Sequence, residues 1–234
     1  YNNAGTEAYQ YADDGTNKAT FLCTVRDSSD GNDRVWRGNN LDATSSISVS
    51  KAAVPAWGTN LSFGAAIVFT DPTGKITGMT EYGQSEKLLW VFREGSVFAM
   101  VSDKPDEIPL REMRSAAEHT NGRVAMPHNV YLYFNFGDGL ERYYNSLLDD
   151  IGPNRDEGLP TGRQGVISCL AGYPGRIFAG VDAVDGVSSL LCKRDGGEGG
   201  SGWCEIYRAP AAGQRLWDIQ FQPIPGSTID RLWV

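Results

Sequence analysis

The chain has 234 residues, with 21 Lys+Arg against 29 Asp+Glu, and its net charge of −8 argues against non-specific binding to nucleic acid or anionic lipid. An apolar content of 41% is enough for a sizeable core, yet no apolar run approaches the ~18 residues of a membrane span. Gly (28) and Pro (11) punctuate the chain too often for a helical bundle.

In chain order, the opening Tyr1-Asn2-Asn3-Ala4-Gly5 lacks an initiator Met and a signal peptide, which points to a processed, trimmed or partial chain. Strands are expected at Thr20–Val25, Ser46–Ser50, Ala65–Thr70, Leu88–Phe92 and Ser96–Val101. Pro109–His119, with Leu110, Met113, Ala116 and Ala117 apolar, is the best helical candidate, one short helix or a loop. Further strands are expected at Val130–Phe134, Val166–Leu170, Arg176–Ala179 and Glu205–Arg208. All are about five residues long, β-branched or aromatic, and bounded by Gly, Asp, Asn or Pro.

The chain also repeats itself. Ile76–Tyr82 leads to Lys87–Val91, Ile167–Tyr173 to Gly175–Ala179, and Ile219–Pro223 to Asp230–Val234; a weaker copy joins Val124–Pro127 to Val130–Tyr133. Each is a strand, a Gly/Pro turn and a second strand. Copies starting near 76, 124, 167 and 219 have the period of four-stranded propeller blades. Ser96–Val101 with Ile108–Met113, and Ser188–Cys192 with Trp203–Arg208, complete two of them. The expected fold is all-β, one propeller domain over residues 1–234 with roughly five blades. The last copy stops after two strands, and Glu7–Tyr11 and Thr20–Val25 are candidates to complete it, with residues 1–25 closing the ring. A mid-strand ending at Leu232-Trp233-Val234 equally fits a piece of a longer protein.

Four cysteines occur without a C-x-x-C, which disfavours a zinc knuckle or a thioredoxin-type site. Cys192 and Cys204 are equidistant from Glu198. In a hairpin centred there they face each other, with Cα atoms ~4.5–5.5 Å apart and within disulfide range. The alternative is two buried thiols. His119 and His128 are the only histidines, too few for a multi-histidine metal centre.

Residues 188–207, S-S-L-L-C-K-R-D-G-G-E-G-G-S-G-W-C-E-I-Y, resemble the Asp-box hairpin of sialidase-like propellers. Asp195, Gly196, Gly197 and Trp203 match in kind, although the loop before Trp203 is longer than in the family. The resemblance implies structural roles: the Asp bonds turn backbone, and the Trp packs between blades. Asn135–Tyr144 is a poorer echo. Residues Tyr131–Tyr144 and Gly202–Val234 also resemble propeller segments of tailed-phage structural proteins.

A glycoside hydrolase would use Glu81, Asp218 and Asp182 as funnel carboxylates, with Asp138 in an adjacent turn. Each is otherwise a turn-capping or solvated carboxylate. Asp27 and Asp30 in one loop, and Asp150 and Asp156 in another, are calcium candidates, although neither loop fits the EF-hand pattern and Arg155 opposes a cation. Trp36 and Trp57, in less periodic segments, are expected to be exposed and available to a ligand. Asn60-Leu61-Ser62 is a glycosylation sequon. No phosphate-binding, dinucleotide or nucleophile motif occurs, and no cofactor is expected. The sequence points to a non-enzymatic structural or recognition module of an extracellular or virion assembly, binding protein subunits. The alternative is a carbohydrate-active propeller, hydrolase or lectin, acting on a surface glycan.

Overall fold

Among the described residues of the computed structural model strand predominates and helix is almost absent, as frequent turn residues between short β-rich runs require. The structure describes residues 19–26, 33–40, 43–49, 67–68, 74–83, 88–100, 110–115, 124–137, 139–156, 158–195, 202–225 and 230–234. Glu7–Tyr11, Asp27, Asp30, Trp57, the Asn60 sequon, His119, Asp138 and Gly196 lie outside them. Two compact units divide the chain, Tyr1–Gly122 and Arg123–Val234.

The first unit holds two four-stranded antiparallel sheets. One runs β1 (Ala19–Arg26), β2 (Asp33–Asn40), β3 (Ala43–Val49), β4 (Ile67–Val68) in chain order. The other runs β5 (Ile76–Tyr82), β6 (Leu88–Arg93), β7 (Ser96–Met100), β8 (Leu110–Ser115). Val25, Trp36 and Ile47 of the first sheet share a core with Ile76, Leu89, Val91, Phe98 and Met100 of the second. Two expectations change here. The helical candidate at Pro109–His119 contains strand β8, because the wholly buried β7 needs a ladder partner and pairing overrides the helix propensity of Arg, Glu and Met. Trp36 is 1% exposed, since β2 runs between β1 and β3 and turns this side chain into the core. Thr20–Val25 belongs to β1 and pairs with β2.

The second unit holds β9 (Met126–His128), β10 (Tyr131–Phe136), β11 (Gly139–Tyr144), β12 (Leu147–Asp150) in one sheet and β13 (Gly165–Tyr173), β14 (Arg176–Ala183), β15 (Ser189–Arg194), β16 (Cys204–Arg208) in the next. A two-stranded sheet of β17 (Gln220–Pro223) and β18 (Asp230–Trp233) follows. Hairpin chemistry is local. Asn145 and Ser146, both at positive φ, form the two-residue loop between β11 and β12. Pro174-Gly175, with Gly175 at φ 73°, makes the turn between β13 and β14.

Strands β14 and β15 at the middle of the β13–β16 sheet are buried on both faces, while β16 is exposed. Ile177, Ala179, Val181 and Leu191 pack with Tyr133 and Leu140 of the preceding sheet. Phe178, Leu190 and Cys192 pack with Leu216, Ile219, Phe221 and Leu232 on the other side. A bulge between Ile167 and Cys169 breaks the period-two alternation, so these two β13 side chains serve opposite cores.

Candidate functional site

The junction between sheets β9–β12 and β13–β16 holds a polar cluster. Its centre is Asp195, at the end of the β15–β16 arm, with a side chain only 3% exposed. The carboxylate accepts hydrogen bonds from the Tyr133 hydroxyl on β10 and from Asn129 Nδ2 in the β9–β10 turn. His128 Nε2 stands 3.7 Å from the same carboxylate, 3.2 Å from Asn129 Nδ2 and 3.2 Å from the Tyr173 carbonyl. Gly172 is required beneath this imidazole, because a Cβ there would lie 2.2 Å from His128 Nδ1. The Asp195 backbone N–H donates to the Gly175 carbonyl at 3.0 Å. The turn that the Asp-box expectation has Asp195 bonding, residues 196–201, lies outside the described residues. Among the described residues, its carboxylate reaches across to the preceding sheet, because the arm ends against the β9–β10 turn.

Trp203 starts the return strand and makes a second tie. It is 5% exposed and packs with Val124, Tyr133, Leu140, Leu159 and Ile167. Its indole N–H donates to the Ile151 carbonyl at 2.7 Å, and its backbone N–H donates to the Asp156 carboxylate. Burial raises the Tyr133 phenol above its ordinary value, and the hydrogen bond to Asp195 raises it further.

At the far end of the same sheet, four charges interlock. Arg163 contacts Asp185 and Glu205, both at 2.7 Å; Arg208 contacts Asp185 at 2.5 Å; Ser189 Oγ donates to Glu205 at 2.8 Å. The hydrogen bond from Arg208 holds the Asp185 carboxyl below its usual value.

The expected hydrolase carboxylates Asp182 and Asp218 are each engaged by donors of the second unit. Asp182 accepts from Ser188 Oγ at 2.8 Å and lies 3.6 Å from Arg215 Nε. Asp218 accepts from the Ile219 N–H at 2.9 Å and from Gln220 Nε2 at 2.6 Å. Both bear electrostatically on Cys169, whose buried thiol is raised first by desolvation. Glu81 lies on β5 of the first unit.

Of the calcium candidates, Asp150 is on strand β12, paired with Arg155 Nε at 2.7 Å and capping Gly152 N–H at 3.0 Å. Asp156 holds the backbone N–H groups of Trp203 and Gly158. Local donors thus occupy the carboxylates that the loop reading offered to a cation. Among the described residues no group of three or more His, Cys, Asp or Glu side chains could hold a metal, and no helix is long and apolar enough to cross a membrane.

The register pairs Cys192 directly with Cys204. In this structure the sulfurs are unbonded, and Cys204 Sγ turns to the Cys192 carbonyl at 3.3 Å. Cys23, on β1, has its thiol pushed up to about 12 by burial and then by the charge of Glu81. A thiol kept neutral by the fold contributes its stability in full below its unfolded value of about 8.5 and loses that contribution as pH rises toward its folded value. Native-state alkylation by iodoacetamide at about pH 8 is expected to modify exposed Cys204 at least roughly tenfold faster than Cys23. Equal rates would contradict the burial of Cys23.

No family model matches the chain, and no curated protein matches it. Among solved structures, the extracellular domain of the hybrid two component system BT4673 from B. thetaiotaomicron superposes with a TM-score of 0.53 at 12% identity, covering 88% of this chain and 25% of that one. The N-terminal domain of Nup159 gives 0.48 at 10% identity, over 83% of this chain and 46% of that one. A puromycin hydrolase mutant, solved in complex with PGG, gives 0.45 at 11%, over 81% and 32%. The chain spans less than half the length of each. At this identity the first likeness bears on the fold alone, a β-rich, propeller-like arrangement of four-stranded antiparallel sheets.

Proposed function

We propose that the chain is a non-enzymatic propeller module that binds protein partners within an extracellular or virion assembly. In this reading its five sheets are successive blades. The observation that carries it is the local engagement of the carboxylates available for acid–base chemistry. Asp182, Asp195 and Asp218 each accept hydrogen bonds from donors that belong to the fold itself. General acid–base catalysis needs such groups convergent and directed at a substrate. Aromatic surface, by contrast, is left open: Trp217 is 77% exposed and Trp233 51% exposed. Exposed aromatics are the side chains that most often anchor protein interfaces.

The test has two arms. A panel of aryl glycosides and polysaccharides is expected to show no turnover; turnover abolished by Glu81→Gln or Asp218→Asn would replace this reading with the hydrolase. Photo-crosslinking groups placed at positions 217 and 233 are expected to yield protein adducts in the native assembly, above a control at exposed Val184. Adducts only to glycan, or none above the control, would overturn partner binding.

A further inference from the structure

The cysteine pair at the base of the Asp195 arm carries a chemistry that the proposed function does not use. Cys192 on β15 and Cys204 on β16 are Cα partners in an antiparallel ladder. Directly opposed residues project side chains to the same face with Cα atoms ~4.5–5.5 Å apart, inside the range a disulfide spans without backbone movement. The ladder fixes this register from both sides, because Cys192 also pairs with Phe178 on β14. The two thiols are unequal: Cys204 is exposed, whereas Cys192 is buried among Phe178, Leu190 and Leu216. Arg176 reaches the Cys192 sulfur from the neighbouring strand and favours its charged form, although burial is the larger influence and raises that thiol. The remaining cysteines are poor competitors, Cys169 being buried and Cys23 partly so.

We propose that Cys192 and Cys204 are a reversible redox site, in which Cys204 takes up an oxidant and Cys192 resolves it to an intrachain disulfide. With oxidised glutathione the steps balance. The Cys204 thiolate attacks one glutathione sulfur, the glutathione S–S bond breaks, and one glutathione leaves as thiolate. Cys192 gives its proton to that thiolate and attacks the Cys204 sulfur, and the second glutathione leaves. Two protein thiols are oxidised and one glutathione disulfide is reduced to two thiols. The new bond closes the loop that contains Asp195 and Trp203, the two residues that tie this sheet to its predecessor. Oxidation therefore sets how often that tie opens.

The full chain is treated with excess oxidised glutathione, quenched with acid and analysed by intact mass and peptide mapping. The expected product has lost two hydrogens and links peptides bearing Cys192 and Cys204, after a transient glutathionyl adduct on Cys204. Cys192→Ser and Cys192→Ala are expected to accumulate that adduct, and Cys204→Ser to form none at Cys192. In hydrogen exchange, amides of β15 and β16 are expected to be protected roughly tenfold more in the oxidised form, as loop closure restricts local opening. A stable glutathionyl adduct in the unsubstituted chain, a link through Cys23 or Cys169, or unchanged exchange would overturn the proposal. So would a Cys192→Ala variant that forms no adduct.

Discussion

Trp203→Ala is expected to cost about 3–5 kcal/mol of stability, the range for truncating a large buried aromatic. Two losses add. The indole leaves a cavity in the core that Leu140, Leu159, Ile167 and Leu191 share with it, between two sheets. Its N–H also ceases to satisfy the Ile151 carbonyl. That carbonyl starts the segment leading into the Pro153–Arg155 3-10 turn, so the damage extends to the connection between sheets. Trp203→Phe separates the terms: it keeps most of the ring and loses the bond, and is expected to cost about 1–2 kcal/mol, a typical penalty for an unsatisfied buried partner. Urea unfolding followed by circular dichroism measures both. A loss below about 1 kcal/mol for the alanine variant would show Trp203 to be peripheral.

Asp195→Ala is the second large effect, expected at about 1–3 kcal/mol, because it strands the Tyr133 hydroxyl, whereas exposed Asn129 turns to water instead. Asp195→Asn keeps an acceptor and is expected to cost about half as much. Tyr133→Phe removes a donor from a buried carboxylate and is expected to cost about 1.5–3 kcal/mol. The phenol also sets a pH signature. Its folded ionisation lies above its unfolded value, so its contribution is complete below about pH 10 and is lost as pH rises past that point. The unsubstituted chain should therefore lose stability above about pH 10 more steeply than Tyr133→Phe, read from urea midpoints along a pH series. Parallel pH profiles for the two would remove Tyr133 from the alkaline transition.

Strands with strong apolar character were legible in the sequence. Leu88–Phe92, Ser96–Met100, Tyr131–Phe134 and Arg176–Ala179 fall within β6, β7, β10 and β14; Val130 precedes β10, and Val101 lies outside the described residues. The pairing of Cys192 with Cys204 followed from spacing alone, since a hairpin register depends only on where its turn is centred. Strand β2 was not legible: Trp36 sits beside the Gly38-Asn39-Asn40 run in a segment without strand periodicity, while pairing on both edges makes it ladder. The reading of Asp149 and Asp150 as a ligand loop failed for a related reason. Asp149 faces Arg142 across β11–β12 and Asp150 meets Arg155, partners that composition does not reveal. Most opaque was the site itself. Tyr133 and Asn129 are 62 and 66 positions from Asp195, and nothing in spacing says which sheet will lie against which. His128 could have been singled out only as one of two histidines.

A chain of similar sheets faces a sorting problem as it folds. Apolar faces of similar composition are nearly interchangeable, so a sheet can stack on the wrong neighbour, or on that of another molecule, at little cost in buried area. The Asp195 tie is not interchangeable. A mis-stacked β13–β16 sheet would bury a carboxylate with no hydroxyl or amide opposite it, a penalty of several kcal/mol that hydrophobic contact does not remove. The carboxylate thus works as an address label on the sheet edge. A chain lacking it should show its defect first as domain-swapped oligomers during refolding at high concentration, before any loss of strand content.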